Sequence, residues 1–529
     1  MLDLSTRQLP KEGARRVDTT SPDGSECSTL AHELVNVGSA AITCPPDSPK
    51  FDTAGGVALG NQELEAIRHF RDSFAPLYIT KNPDYSVFSV LLQIAKDDAI
   101  LMHLVIAIGC REIDFRRQSW RKRDCRHRED DQGCGSAQRS LGLSHYSVAL
   151  RAMSALVANG PASTTNIDLD TLTSILLLMI MYEQIHGDPR CRGLSTHLLG
   201  ASLILERYYG NVLRDVTFLP QTGGSQHQRC ALARRAKPGT RIHLSLYSAR
   251  LLVRISGMDV IASFYGLGGQ VTGTLLKMMA EDNARRRKAS PGLMDSLSWL
   301  HRYSNPLYRA VWGDVYPQTE MVDDLENRTV YDLLGACTQL RFRISQLTNV
   351  LSRDDHGAKA ALIADVEAAI QDIGHRFADL LEVAAGLSLE TDNSHRLVAN
   401  LRWIVPRYYT ELILFLRITS GSAVELRPRR EDALRIIVAL AVQGFRYERD
   451  MAMLRIANPL FIVALETDDE LHRQWVLERF EGLGQFGEHF RRMREFLERN
   501  IGMPQASTSK QELRLKFLDE ASSLCFCLL

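Results

Sequence analysis

Residues 170–210 read DTLTSILLLMIMYEQIHGDPRCRGLSTHLLGASLILERYYG, and this stretch decides the fold class. From Leu172 to Tyr182 almost every residue is apolar, which predicts a helix buried on all sides rather than on one face. We expect Asp170 to cap its start, because a carboxylate there can accept from the free backbone N–H groups. Gly187 and Pro189 are expected to end the helix, since glycine tolerates a left-handed conformation and proline cannot continue a helix.

The second half of the stretch predicts another helix. Its apolar side chains recur at spacings of four and three and share one face: Leu194, Leu198, Ala201, Leu205 and Tyr208. Gly200 lies beside this face, where its missing side chain would let another backbone approach, and Gly210 is expected to end the helix. Two such helices joined by a short turn form an αα-hairpin. We interpret this hairpin as a packing unit, with no residue that carries chemistry.

The composition is that of an ordinary globular protein, with 45% hydrophobic and 24% charged residues among 529. The 63 basic and 63 acidic residues cancel, so no whole-molecule attraction to nucleic acid or to an anionic membrane is expected. No apolar run reaches the roughly 18 residues of a membrane span, and the N-terminus has no apolar secretory segment. The ten scattered cysteines are typical of reduced intracellular thiols. Prenylation is not expected, because Phe526 rather than a cysteine stands fourth from the end.

The chain divides into three parts by composition. Residues 1–58 are rich in Ser, Thr, Pro, Asp and Gly without a sustained period, which indicates a disordered N-terminal arm. Residues 59–500 carry helical spacing through most of their length, and no window alternates like a strand. Residues 501–529 are interpreted as a C-terminal tail. The predicted fold class is therefore all-α, a large irregular multi-helix domain built from αα-hairpins.

Two clusters of basic residues interrupt the helical pattern. In Arg116–Ser136 basic residues are followed by acidic ones, which favours a solvated loop between two helices. The functional alternatives for this segment are a nuclear-import signal and a patch that contacts phosphate. The second cluster consists of four consecutive cations in a short polar segment: Arg285, Arg286, Arg287 and Lys288. It is the better nuclear-import candidate of the two. The alternative is the cationic end of a helix, which would complement the helix dipole.

No pattern predicts a catalytic residue, a cofactor-binding residue or a metal ligand. The glycine-rich stretch Tyr265–Gly273 lacks the third glycine of a dinucleotide-binding motif at the required spacing, and no strand precedes it. Glu183 and His186 are three residues apart, like one half of a di-iron site, but no convincing second pair accompanies them. The cysteines include no CxxC pair for zinc. His103, in an apolar segment, is expected to be a core residue with a hydrogen-bond partner.

The order of features in the hairpin resembles a known regulatory domain. A leucine-rich helix ends in Tyr182-Glu183, a glycine-containing turn follows, and the segment HLLGA at 197–201 continues to Arg207 and Gly210. This order resembles the regulatory domain of fungal zinc-cluster transcription factors, in the branch called the fungal-specific transcription factor domain 2 family. Three further segments between Gln62 and Asn500 resemble the same family: HYSVALRAMSAL at 145–156, GMDVIAS at 257–263 and NPLFIVA at 458–464.

The resemblance implies a nuclear transcription regulator, not an enzyme, that controls a metabolic or secondary-metabolite gene cluster. Family members usually begin with a six-cysteine zinc cluster that reads DNA, whereas here only Cys27 and Cys44 precede the helical region. Direct sequence-specific DNA binding is therefore not expected. The predicted partners are other transcription proteins or a DNA-binding protein, with no membrane and no cofactor, and a homodimer is left open. The alternatives are a helical interaction scaffold outside the nucleus and a helical-bundle metalloenzyme.

Overall fold

The computed structural model describes residues 52–54, 56–124, 133–159, 168–188, 190–209, 244–285, 296–351, 356–391, 395–419 and 427–501. All of them belong to one compact unit, Phe51–Leu529. Of the expected N-terminal arm and C-terminal tail, only residues 52–54, 56–58 and 501 lie in the described part. The disorder of the arm therefore stays a prediction.

The described part of the chain is almost entirely helical. Its helices are α1 Asn61–His69, α2 Val87–Ala95, α3 Ala99–Asp124, α4 Gly133–Asn159, α5 Leu169–His186, α6 Arg192–Ile204, α7 Leu246–Phe264, α8 Gln270–Arg285, α9 Ser296–Tyr303, α10 Leu307–Trp312, α11 Gln318–Glu326, α12 Arg328–Leu351, α13 His356–Arg376, α14 Ala378–Gly386, α15 Arg396–Thr419, α16 Arg427–Glu448, α17 Asp450–Glu466, α18 Glu470–Leu483 and α19 Glu488–Ile501. Consecutive helices pack together in many pairs, among them α3 with α4, α5 with α6 and α15 with α16. The predicted all-α fold built from αα-hairpins is confirmed. None of the described helices is both long and apolar enough to cross a membrane.

Helices α5 and α6 form the hairpin predicted from residues 170–210, and α5 is the more deeply buried of the two. Its residues from Leu169 to Tyr182 are all buried. The helix contacts α2, α3, α6, α7 and α19, so it has packing partners around its whole circumference. The predicted burial on all sides is confirmed, because a helix without a polar face has no side that can be left to water.

The N-cap of α5 is Asp168, not Asp170 as we expected. The Asp168 side chain accepts from the backbone N–H of Asp170 at 3.3 Å and from the Thr171 hydroxyl at 2.9 Å. Asp170 is itself fully buried, and its carboxylate accepts from the hydroxyls of Ser245 and Ser248. The second aspartate therefore ties α5 to the start of α7, where the Ser245 hydroxyl also accepts from the Ser248 backbone N–H at 2.9 Å.

The turn between α5 and α6 differs from the expectation in its conformation. Gly187 ends α5 with an extended backbone, φ −69° and ψ 178°, rather than a left-handed one. The residue in the left-handed region is Cys191, at φ +53°. Nothing lies within 4 Å of a Cβ placed on Gly200, whereas a Cβ on Gly193 would overlap the Glu183 carboxylate. The Glu183 side chain therefore approaches the backbone closely at Gly193, whereas no group approaches Gly200. Gly210, the expected end of α6, lies outside the described residues.

The segment Arg116–Ser136 is not a loop at either end. Helix α3 continues to Asp124 and α4 begins at Gly133, and only residues 125–132 of this segment lie outside the described part. Its charged residues pair along and beside the helix: Arg116 Nε donates to Glu112 at 2.9 Å and Arg117 Nη2 donates to Glu65 of α1 at 3.0 Å. Such pairs stabilise a polar helical extension that has no apolar period.

One β-hairpin precedes the helices, although the sequence showed no strand pattern. Asp52–Ala54 (β1) pairs antiparallel with Val57–Leu59 (β2), with Ala54 opposite Val57. Gly56, at φ +80°, occupies the left-handed position of the turn, which favours glycine. Three-residue strands are too short for an alternating pattern to register.

The first prediction concerns the buried helix. Leu176, with 4% of its surface exposed, lies in the middle of α5. We expect Leu176→Asp to lower the free energy of unfolding by more than about 3 kcal/mol and to prevent stable folding, because a buried charge without a partner is costly. The measurement is urea unfolding followed by circular dichroism. The matched control is Leu203→Asp on α6, where 58% of the side chain is exposed and the change should cost less than about 1 kcal/mol. A stable, fully helical Leu176→Asp protein would contradict the assignment of α5 to the core.

The second prediction concerns three histidines with buried ring nitrogens. Burial lowers the pKa of His489 to about 3, and it lowers the pKa of His186 and His301 well below the usual value. The unfolded chain therefore binds more protons than the folded chain below pH 6.5, so stability is lost as the pH falls through this value. We expect each of the three to remove roughly 1 kcal/mol between pH 6.5 and 5.5.

The measurement is the free energy of unfolding at pH 7.5, 6.5 and 5.5. His489→Gln should reduce the loss of stability between pH 6.5 and 5.5 by roughly 1 kcal/mol, since glutamine does not titrate. A wild-type protein that is equally stable at all three pH values would show that these imidazoles are not kept neutral by folding.

Candidate functional site

A cavity of about 220 Å³ lies among α7, α9, α12 and α15, beside residues 77–81 that follow α1. Its apolar wall comes from several elements: Leu77, Val87, Met181, Val253, Met258 and Leu334. An outer recess of about 360 Å³ shares Ile79, Thr80, Lys81, Arg396 and Arg455 with the cavity, which places its opening on that side. A water molecule takes up roughly 30 Å³ in the liquid, so the space is far larger than a single-water site.

The charged residues around this cavity are unbalanced. Six basic residues line it: Lys81, Arg250, Arg254, Arg396, Arg407 and Arg455. Asp324 is the one carboxylate among the described residues that line it. Because a low-dielectric cavity strengthens every electrostatic interaction, the partners of these six cations decide whether the space attracts an anion.

At the opening the cations are paired with acidic residues of α11. Lys81 Nζ lies 2.7 Å from Glu320 Oε2 and 2.7 Å from Asp324 Oδ1. Arg396 Nη1 lies 2.5 Å from Asp323 Oδ2, and Arg396 Nη2 lies 3.1 Å from Asp324 Oδ1. Burial lowers the pKa of Arg396, but Tyr331 and the two aspartates more than offset this, so that its pKa is raised. The opening therefore combines two cations with three carboxylates and has no excess of positive charge.

Arg455, on α17, belongs to the same side of the cavity. Its guanidinium pairs with Glu448 and donates through Nη2 to the Ile79 carbonyl at 2.9 Å. It thus ties α17 to the segment after α1, and it too has a carboxylate partner.

The inner arginines, both on α7, have neutral partners. Arg250 Nη2 donates to Asn305 Oδ1 at 3.2 Å, and Arg250 Nη1 lies 3.2 Å from His301 Nε2. Arg254 Nη2 donates to the Tyr78 carbonyl at 3.0 Å, and its guanidinium lies 5.1 Å from the centre of the Phe88 ring. Among the described residues no carboxylate forms an ion pair with either arginine.

The protonation states of this inner end follow from burial. Burial lowers the pKa of Arg254 to about 10, which still leaves the guanidinium charged at neutral pH. Burial and then the neighbouring Arg250 lower the pKa of His301 well below its usual value, so its imidazole is neutral. Burial raises the pKa of Tyr308 to about 12, which keeps its phenol as a neutral hydrogen-bond donor. The inner end thus carries two positive charges and neutral groups, an arrangement suited to holding an anion.

A buried ion pair lies next to the cavity. Arg341 Nε of α12 donates to Glu411 Oε2 of α15 at 2.5 Å, with 4% of each side chain exposed. Arg341 Nη2 also donates to Asn458 Oδ1 of α17 at 3.2 Å. The Arg341 guanidinium is thereby held by side chains of α15 and α17, and this cluster has a structural task in joining α12 to those two helices.

The residues weighed as metal ligands have other partners. Glu183 Oε1 accepts from the Tyr146 hydroxyl at 2.7 Å, and that hydroxyl lies 2.9 Å from His197 Nε2. The His186 ring packs against the Tyr182 ring, with their centres 5.5 Å apart. In the part of the chain that the structure describes, no group of three or more His, Cys, Asp or Glu side chains could hold a metal ion.

His103, expected to be a core residue with a hydrogen-bond partner, does have one. Its Nδ1 lies 2.7 Å from His145 Nδ1, and the ring is half-buried. Burial, reinforced by His145, lowers the pKa of His103.

The glycine-rich stretch Tyr265–Gly273 forms the turn between α7 and α8 and the first residues of α8. Asp259, fully buried on α7, accepts from the backbone N–H groups of Gly269 and Thr272, both at 2.8 Å. Gly269 is at φ +95°, where glycine is favoured. A side-chain carboxylate thus already occupies the N-terminus of α8, the position at which a nucleotide-binding loop holds phosphate.

The nuclear-import candidate lies at the limit of the described part. Arg285 is the last residue of α8, and Arg286, Arg287 and Lys288 lie outside the described residues. Both interpretations of this cluster, an import signal and the cationic end of a helix, remain predictions.

The two inner arginines were not predicted as binding residues from the sequence. Arg250 and Arg254 are four residues apart in LYSARLLVRISGMDV, so they share a face of an otherwise apolar helix. This spacing is a visible signal. Whether a carboxylate faces them depends on α9 and α12, which lie far along the chain.

Comparison with known proteins identifies the family. Residues 65–499 match the family model described as the fungal specific transcription factor domain. No curated protein and no solved structure gives a significant match. The match covers most of the chain and includes every helix that forms the cavity. The chain therefore belongs to the fungal specific transcription factor domain family, and its family is that of transcription regulators of fungal type.

Proposed function

We propose that the protein acts in the nucleus as a non-enzymatic transcription regulator whose helical domain is the regulatory part. The observation that carries this proposal is the family match over residues 65–499. Control of a metabolic or secondary-metabolite gene cluster is the finer proposal, and it rests on the resemblance of the hairpin and of the three other segments to that family.

We further propose that the protein reaches DNA through another transcription protein or a DNA-binding partner. The net charge of zero supplies no general attraction to the phosphate backbone. This balance of charge favours contacts with protein over direct binding to DNA.

The test combines chromatin occupancy of the tagged chain in a fungal host with DNA binding by the purified chain. We expect occupancy at a limited set of promoters. For the purified protein we expect equally weak binding to an occupied sequence and to a scrambled one, because no element is assigned to read bases. Tight binding that prefers the occupied sequence would overturn the recruitment proposal, and the absence of occupancy at any promoter would favour an interaction scaffold.

A second test addresses nuclear import. Replacing Arg285, Arg286, Arg287 and Lys288 by glutamine should abolish nuclear accumulation of a fluorescent fusion, because basic clusters of this kind are read as import signals. The matched control replaces the basic run Arg121, Lys122 and Arg123 by glutamine and should leave the fusion in the nucleus. If the first variant stays nuclear, this cluster is not the signal. If the unaltered chain stays out of the nucleus, the nuclear proposal itself is wrong.

A further inference from the structure

At the inner end of the cavity, Arg250 and Arg254 have no carboxylate partner among the described residues. We propose that the cavity binds a small amphipathic organic acid, with its carboxylate between Arg250 and Arg254 and its hydrocarbon body against the apolar wall. This site is independent of the way in which the protein reaches DNA.

Three other buried or half-buried cations have carboxylate partners. Arg341 has Glu411, Arg417 has Glu466 at 2.7 Å, and Arg396 has Asp323. A buried charge is retained at low cost only when an opposite charge or a full set of hydrogen bonds compensates it. Arg250 and Arg254 carry two like charges on one helix face, and the described residues offer them neutral acceptors. An anion in the cavity would supply the missing compensation.

The two guanidinium groups are held in place by neutral partners. Arg250 is held along one edge by Asn305 and His301. Arg254 is held by the Tyr78 carbonyl through Nη2. Each guanidinium is therefore fixed by a neutral group and has further N–H donors. Pre-positioned guanidinium groups match a carboxylate, which accepts two parallel hydrogen bonds from each such fork.

Part of the cavity wall is apolar, which suits the hydrocarbon part of a ligand. Met181, Val253, Met258 and Leu334 present apolar surface beyond the arginines. An inorganic anion would leave this surface and most of the 220 Å³ without contacts. An acid with a short hydrocarbon body satisfies both ends, in the manner of small-molecule sites that combine an apolar lining with a few placed polar groups.

The outer recess carries charges of both signs. It is lined by Lys81, Arg396, Arg455 and Glu448, and the first two cations pair with acidic residues of α11. The positive charges without a carboxylate partner therefore lie at the two inner arginines rather than at the opening.

The experiment is isothermal titration calorimetry of the purified full chain with hexanoate and benzoate. Hexanamide and benzamide are the neutral counterparts of nearly the same shape. We expect saturable binding of at least one acid at one site per chain, and at least tenfold weaker binding of its amide. Inorganic phosphate is titrated in parallel and is expected not to bind.

The matched variants are Arg250→Gln and Arg254→Gln, with Arg435→Gln as the control on the surface of α16. We expect each of the first two to weaken binding of the acid by roughly tenfold to a hundredfold, as removal of a charge-assisted hydrogen bond does. Arg435, whose side chain is 73% exposed, should leave the affinity unchanged. Thermal unfolding of the ligand-free proteins separates binding from folding. Removing one of two uncompensated charges should leave the melting temperature equal to that of the wild type or higher.

Four outcomes would overturn the proposal. They are no saturable binding of either acid, equal binding of acid and amide, unchanged affinity in both arginine variants, and binding of inorganic phosphate in place of the acids. A large loss of thermal stability in both variants would instead show that the arginines serve the fold. None of these readouts involves transcription, so failure here is distinct from failure of the proposed function.

Discussion

The complete burial of α5 is the constraint on which the rest of the structure depends. A helix with no polar face needs apolar partners on every side, and α2, α3, α6, α7 and α19 supply them. Its few polar side chains must then be satisfied inside the protein. Asp170 binds Ser245 and Ser248, and Ser174 lies 2.9 Å from the Tyr247 hydroxyl, so the start of α7 is held where α5 begins. Burial of one helix thus determines the position of the helix that carries the inner arginines.

The segments that resemble the family have a common physical task, which is to make buried polar contacts between helices. Tyr146 of α4 donates to Glu183 of α5. Asp259 of α7 holds the start of α8 through two backbone N–H groups. Asn458 of α17 accepts from Arg341 of α12. Each such group would be costly to leave unpaired, which gives these positions a stricter chemical requirement than the surrounding leucines have.

The fold class and the opening hairpin could be predicted from the sequence because helical spacing and unbroken apolar runs are local signals. The residue that caps α5 could not be predicted, since Asp168 and Asp170 are both suitable. Ser245, which lies far along the chain, binds the Asp170 carboxylate inside the protein and leaves Asp168 as the cap. The helical ends of the segment 116–136 were missed because their stability comes from charge pairs such as Arg117 with Glu65 of α1. The cavity was missed for the same kind of reason. The pair Arg250 and Arg254 is visible in the sequence, but its lack of a carboxylate partner depends on helices far along the chain.

The position of the cavity links its occupancy to the stability of the whole domain. Its wall includes Met181 of the buried helix α5, the arginines of α7 and residues of α12 and α15. These helices pack in series, α5 on α7, α7 on α12 and α12 on α15. A ligand that binds only the folded chain stabilises it in proportion to the logarithm of its concentration above the dissociation constant. Because the ligand would touch α5 and α7 together, it would act on the same pair of helices that the Asp170 hydrogen bonds join. An anion between Arg250 and Arg254 would thereby remove the local charge imbalance of the inner cavity and strengthen the junction on which the hairpin depends.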